Sequence, residues 1–195
     1  LVLDHSLALE PSREAPSPRA EARAWGLAVE GRAGGEVGLL GGVGAFFAVG
    51  VETGRRPGRS SFGAGAFGVS PASVEYDLGA IDLSLFGAYV RGCRVFFGAP
   101  GALRGGFCAL GLLGALGGKG RGYPGSNRQA YTTWVAPGLA ASLRGPLGGA
   151  FDWSLTATGY VPLLRGGFSI GNRGQAYETG PAAASLEAGV SWTIL

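Results

Sequence analysis

The chain has 195 residues, of which 46% are hydrophobic, 15% are charged and 39 are glycine. Its net charge of +3 is modest and its basic residues are scattered, so we expect no nucleic-acid partner. Glycine costs roughly 1 kcal/mol per helix position relative to alanine, and the most apolar stretch, 37–51, is rich in glycine. These features exclude a long membrane-spanning helix and leave tilted β-strands as the elements that could cross a bilayer.

The first 21 residues are predicted to be a flexible tether, and residues 22–195 a single β domain. Pro11, Pro16 and Pro18 lie among small and charged residues in this segment, which is a composition typical of linkers. The chain begins at Leu1 and contains no methionine. We therefore expect that an initiator and an export signal lie upstream or have been removed.

Eight strands are predicted from alternation of apolar and polar residues. Their approximate ranges are 22–32, 37–51, 61–70, 80–94, 102–117, 131–144, 151–161 and 183–195. The last strand alternates most strictly, with Leu186, Val190 and Trp192 on one side and Ser185 and Glu187 on the other. The fifth carries leucine in both phases, so its orientation stays open.

The links between these strands differ in length. Gly34-Gly35 is predicted to close the first strand, and 98–101 and 145–149 are predicted as short turns. Longer links are expected at 71–79, 118–130 and 163–182. Short turns at one end and longer loops at the other are typical of outer-membrane barrels. The sequence therefore predicts an all-β fold, an eight-stranded antiparallel up-and-down transmembrane β-barrel.

Three tryptophans are predicted to lie at one membrane edge. With both termini on the same side, Trp25 and Trp153 each begin a strand that leads away from that side, and Trp192 ends a strand that returns to it. Aromatic girdles at the membrane interface are typical of transmembrane barrels. We therefore predict that these three residues are membrane-interface aromatics, with ordinary core packing as the alternative.

One long segment resembles a known group of proteins. Residues 93–122 read CRVFFGAPGALRGGFCALGLLGALGGKGRG, and TATGYVPL follows at 156–163 before the last alternating strand. With the paired cysteines, these runs resemble the C-terminal barrel-like domains of uncharacterised Gly/Ala-rich myxobacterial proteins, over residues 80–195. The resemblance implies a small eight-stranded barrel in the cell envelope and supplies no catalytic residues.

Two cysteines lie symmetrically about Pro100-Gly101. If the hairpin there has no bulge, Cys93 and Cys108 oppose each other across two strands, and a disulfide between them is feasible. Two free buried thiols and a metal-binding or catalytic thiol are the alternatives. A metal site would need more ligands than two cysteines and one histidine supply.

The charged residues divide into a group within the strands and a group in the loops. The first is predicted to form a charge network in the lumen, and it comprises Glu30, Glu52, Asp82, Arg91, Arg94, Arg144, Asp152 and Glu187, with Arg32 as a further partner. The second could contact anionic sugars and phosphates of the outer leaflet, with simple solvation as the alternative, and it comprises Lys119, Arg121, Arg128, Arg165 and Arg173.

The sequence contains little that indicates an enzyme. Its single histidine, His5, lies in the predicted tether, so a barrel-borne Ser-His-Asp or Cys-His site has no base. We expect no catalytic residues, no cofactor and no metal. The leading hypothesis is a non-enzymatic protein of the bacterial outer membrane with a structural or loop-mediated role and lipid or lipopolysaccharide as its partner. The alternatives are a ligand-binding or narrow-channel barrel with a Gly-lined lumen, and a soluble lipocalin-like or sandwich binder.

Overall fold

A computed structural model describes residues 25–55, 59–76, 79–99, 101–122, 129–169 and 174–194, so the predicted tether lies outside the described part. The strands are β1 (Trp25–Val37), β2 (Val43–Arg55), β3 (Ser60–Tyr76), β4 (Gly79–Phe97), β5 (Arg104–Arg121), β6 (Gln129–Gly148), β7 (Phe151–Tyr160), β8 (Gly167–Ser169), β9 (Gln175–Glu178) and β10 (Ala183–Thr193). All except β8 and β9 form one closed antiparallel barrel in the order β1-β10-β7-β6-β5-β4-β3-β2. The predicted eight-stranded barrel is therefore confirmed.

The barrel has one face toward the lumen and one toward the surroundings, as the alternation predicted. On β10, Leu186, Val190 and Trp192 are exposed on the outside, whereas Ser185 and Glu187 are buried in the lumen. Neighbouring strands repeat this pattern because directly opposed residues share a face. No helix among the described residues is long and apolar enough to cross a bilayer.

The first turn lies further along the chain than predicted. β1 continues through Gly34 and Gly35 to Val37, and residues 38–42 make the turn. A β-carbon on Gly34 would lie 2.6 Å from the Cα atom of Glu187, so this glycine permits close approach of β1 to β10. The positive φ angles that the turn requires occur instead at Gly38 and Gly41.

The predicted long link at 71–79 is wrong, because β3 runs through it. A register shift between Val69 and Ala72 marks a β-bulge, after which the strand continues to Tyr76 opposite β4. Pro71 fits there because a bulge leaves backbone positions without ladder hydrogen bonds. At the other end of the barrel, β6 reaches Gly148, so the predicted turn at 145–149 shrinks to residues 149–150.

The remaining predicted links occur, with changed bounds. β5 runs to Arg121 and β6 begins at Gln129, so strands occupy both ends of the predicted link at 118–130. β4 and β5 are joined through 98–103, with positive φ angles at Gly98 and Gly101. The longest link, 161–182, joins β7 to β10 and contains the β8–β9 hairpin. It leaves the barrel at the end opposite Trp25 and Thr193, which we call the loop end. The other end is called the terminal end.

Candidate functional site

Apolar side chains fill the loop-end half of the lumen. Trp134 and Leu116 are fully buried, and Phe46 and Phe67 stack with ring centroids 5.9 Å apart. The remaining side chains of this cluster include Leu39, Leu40, Val69, Ile81, Leu83, Leu85, Leu112, Ala136 and Tyr160. An eight-stranded barrel is just wide enough for side chains to fill. This half of the lumen is consequently a packed core rather than a passage.

The β7–β10 link and the first turn cover this core, and together they form a cap. The Tyr177 hydroxyl donates a hydrogen bond of 2.9 Å to the Leu39 carbonyl, which joins the β8–β9 hairpin to the turn. Burial, and secondarily the nearby charge of Glu36, raises the pKa of Tyr177 to about 12. A β-carbon at Gly118 would lie 2.8 Å from the Phe168 ring, so the hairpin also packs on β5.

A charge network lies below the apolar core, closer to the terminal end. Arg91 on β4 bonds both Glu30 on β1 and Glu52 on β2. Arg144 on β6 donates two parallel hydrogen bonds of 2.7 and 2.6 Å to the Glu52 carboxylate. Such bidentate, charge-assisted bonds are among the stronger ones in proteins. They connect four strands around the barrel.

A second part of the network centres on Glu187, whose side chain is fully buried. Arg32 donates to it at 2.7 Å, and Ser185 donates at 2.6 Å. Arg32 also lies 3.6 Å from Glu30, so the two parts are joined. The connected network contains three carboxylates and three guanidinium groups. Its charges balance, as a network removed from water requires.

The structure corrects two members of the predicted network. Asp82 lies at the loop end, 2.8 Å from Arg121, in an exposed pair outside the lumen. Arg94 is exposed and lies in the outward phase of β4 at the terminal end. Both residues lie near the ends of β4, and the strand ends of a barrel tolerate outward polar residues because they extend beyond its apolar outer surface. Asp152 does face inward, but it pairs with Arg104 at 3.0 Å near the terminal opening.

The sequence pattern did not identify several polar lumen residues, among them Tyr89, Tyr160, Arg104 and the buried Glu36. Tyr89 donates a 2.9 Å hydrogen bond to Glu30, and Tyr160 bonds Ser185 at 2.8 Å. Arg104 pairs with Asp152. A usable signal existed for Tyr89, because it lies two residues before Arg91 and therefore on the same face of β4.

Inward glycines accommodate these large side chains. A β-carbon at Gly65 would lie 2.8 Å from the Tyr89 ring, and one at Gly189 would lie 2.7 Å from the Arg32 Cγ atom. The space left by the missing glycine side chains is therefore occupied by these larger side chains. Beside Tyr89 and Tyr160 a void of about 10 Å³ remains, the volume of about one water.

An open vestibule occupies the terminal end of the lumen. Its volume is about 770 Å³, and polar side chains including Ser61, Ser142, Arg104 and Asp152 line it. Glu52 and Arg144 also line this cavity, so the charge network closes its inner end. Among the described residues, no group of three or more His, Cys, Asp or Glu side chains could hold a metal ion.

The predicted disulfide is present. Cys93 and Cys108 oppose each other directly across β4 and β5 and are bonded, with their Cα atoms 4.0 Å apart. Cys108 is buried on the lumen side. The bond is therefore a structural link within one hairpin, and it leaves no free thiol among the described residues.

The three predicted interface tryptophans all face outward at the terminal end. Trp25 and Trp192 are exposed, and the Trp192 ring stacks on Phe151 with centroids 6.4 Å apart. Trp153 lies over Gly145 on the neighbouring strand. Their role at a membrane interface stays a prediction.

The predicted loop cations are only partly described. Lys119 and Arg121 are exposed near the loop-end terminus of β5, and Arg165 is exposed in the β7–β10 link. Arg128 and Arg173 lie outside the described residues. Arg121 is held by Asp82 and Ser73.

Comparison with solved structures identifies similar barrels. Neisserial surface protein A is 12% identical, with a TM-score of 0.55 over 87% of this chain and 97% of that one. The N-terminal β-barrel domain of Pseudomonas aeruginosa OprF is 13% identical, with a TM-score of 0.49 over 86% and 97%. A major outer membrane protein from Thermus thermophilus is 14% identical, with a TM-score of 0.48 over 88% and 100%. No protein-family model and no curated protein matches the sequence. The first similarity supports the fold.

Proposed function

We propose that this protein is a non-enzymatic β-barrel of the bacterial outer membrane, with a structural role or one exerted through its loop end. The observation that carries the proposal is the exterior of the barrel. On β4, every outward residue between Asp82 and Arg94 is uncharged. The other described barrel strands also carry no outward charge at the heights between these two residues. Such an exterior is suited to lipid rather than water.

The height of this uncharged band fits a bilayer. Asp82 and Arg94 are twelve positions apart on one strand, which corresponds to about 40 Å along the strand. A strand tilt of about 40° reduces this to roughly 30 Å along the barrel axis, close to the hydrocarbon thickness of ~30 Å. Exposed side chains such as Val49, Leu113 and Leu139 lie within the band.

Two further features support this proposal. A disulfide is expected in an oxidising compartment such as the periplasm, from which the terminal end would be accessible. The packed core and the charge network block the lumen between the vestibule and the loop end, which favours a non-conducting barrel over the Gly-lined channel. The uncharged exterior disfavours a soluble lipocalin-like binder. The resemblance to the myxobacterial barrel-like domains stays a prediction.

The loop end is the proposed interaction face. Lys119, Arg121 and Arg165 lie there with exposed side chains, and cations next to an anionic membrane surface contribute about 1 kcal/mol each. Contact with lipopolysaccharide phosphates is therefore part of this proposal. It requires no cofactor.

The test is insertion into phospholipid vesicles, followed by heat-dependent migration on gels. Val49→Arg places a charge at the middle of the band and should cost about 2–4 kcal/mol of folding free energy in vesicles. Val43→Arg, at the loop-end edge of the same strand, is the matched control and should cost about 0–1 kcal/mol. Equal effects of the two variants, or a wild-type protein that stays monomeric in detergent-free buffer, would refute the proposal.

A further inference from the structure

An apolar groove lies on the outer surface of the barrel, across β4, β5, β6, β7 and β10. Its volume is about 260 Å³. Its lining residues are almost entirely apolar and include Phe97, Gly105, Phe107, Ala141, Leu155, Ala157 and Leu186. Small residues on neighbouring strands form its floor, and Phe107, Leu155 and Leu186 rise beside them. This shape suits a slender, flexible apolar group.

The strand register places a cation at one end of this groove. Arg94 opposes Phe107, Phe107 opposes Ala141, Ala141 opposes Ala157, and Ala157 opposes Leu186. Directly opposed residues share one face, so these five form a single outward row. Four interstrand spacings give it a length of about 19 Å.

The row is inclined relative to the membrane. Arg94 lies three residues from the terminal-end limit of β4 at Phe97, whereas Leu186 lies seven residues from the corresponding limit of β10 at Thr193. The row therefore begins at the edge of the uncharged band and rises toward its middle. A lipid has the same arrangement, with a polar head at the interface and chains that extend inward.

We propose that this groove binds an anionic phospholipid of the leaflet at the terminal end, with its phosphate at Arg94 and one acyl chain along the row to Leu186. The inference rests on the proposed membrane location and deepens it. Arg94 is exposed, and no carboxylate of the described residues pairs with it. Its atoms also border the rim of the terminal opening, and this is the height at which headgroups of the leaflet at the terminal end would lie.

The experiment measures lipid retention by native mass spectrometry of the full chain in detergent. Phosphatidylglycerol and phosphatidylcholine with identical acyl chains are the probes. Arg94→Gln removes the proposed phosphate contact, and Ala157→Phe fills the groove. The matched controls are Arg94→Lys, which keeps a cation at the proposed phosphate site, and Ala64→Phe, which enlarges an outward alanine on β3 outside the groove. Heat-dependent gel migration verifies that each variant folds.

Wild-type protein should retain phosphatidylglycerol over phosphatidylcholine, and Arg94→Gln should reduce its retention about tenfold. Ala157→Phe should reduce retention of both lipids, and the two controls should behave as wild type. Equal retention of the two lipids by wild type, or unchanged retention in folded Arg94→Gln and Ala157→Phe proteins, would overturn the lipid site. Loss of the lipid site would leave the proposed function standing if the protein inserts into vesicles in the assay described above, whereas failure to insert there would refute that function.

Discussion

Replacement of Arg91 by methionine tests whether the lumen network stabilises the barrel. Arg91 bonds both Glu30 and Glu52, and its side chain is about 5% exposed. Removal of one member of a buried ion pair leaves an uncompensated charge and costs about 3–5 kcal/mol. Glu52 retains Arg144. Glu30 keeps the hydrogen bond from Tyr89, but its remaining ionic contacts are longer, at 3.6 Å with Arg32 and 3.7 Å with Arg144. We therefore expect a loss in this range, with most of it attributable to Glu30.

Arg121→Met is the matched control. It removes the same guanidinium group from an ion pair with Asp82, whose side chains are 59% and 37% exposed. Exposed pairs contribute about 0–1 kcal/mol. Urea titrations in phospholipid vesicles, followed by tryptophan fluorescence and by heat-dependent gel migration, would give both free-energy changes.

A double variant separates the charge effect from a packing effect. Arg91→Met with Glu30→Gln leaves two carboxylates and two guanidinium groups in the network, so it should be more stable than Arg91→Met alone. An Arg91→Met protein that loses no more stability than Arg121→Met would refute the role assigned to the network. If the double variant is less stable than Arg91→Met, the free energy lost in Arg91→Met comes from packing rather than from charge.

Replacement of both Cys93 and Cys108 by serine should lower the free energy of unfolding by about 3 kcal/mol, because their bond closes a loop of 15 residues; an unchanged urea midpoint would contradict this. The pKa of Tyr177 is raised to about 12 from about 10 in the unfolded chain. Neutral Tyr177 therefore stabilises the cap fully below pH 10, and this contribution is lost as the pH rises to about 12. Tyr177→Phe should reduce the change in tyrosinate absorbance near pH 12 by the amplitude of one tyrosine, and an undiminished amplitude would refute the assignment. Planar-bilayer recordings of wild-type protein should show no conductance, and stable unitary channels would contradict the filled lumen.

The strand pattern of the barrel was predictable wherever the two faces meet different media. β10 alternates strictly because Leu186, Val190 and Trp192 face outward while Ser185 and Glu187 lie in the polar part of the lumen. The residue pattern of β5 does not show which side faces the lumen. Leu112 and Leu116 face the apolar core, so both sides of that strand are apolar.

Long-range geometry was harder to predict than strand pattern. Glu30, Glu52 and Arg91 were placed correctly in the lumen because they lie well inside their strands. Arg94 and Asp82 were misplaced because the pattern does not show where the apolar band ends along a strand. The β8–β9 hairpin was missed as well, since strands of three and four residues are too short to show alternation.

In a bilayer, the exterior of the ring should contact lipid and its interior should not. Two single-tryptophan proteins, one with only Trp192 and one with only Trp134, can be inserted into vesicles whose acyl chains carry bromine. Because Trp192 is exposed on the outer surface and Trp134 is fully buried in the lumen, bromine should quench Trp192 strongly and Trp134 weakly. Equal quenching of both residues, or stronger quenching of Trp134, would contradict a lipid-facing exterior.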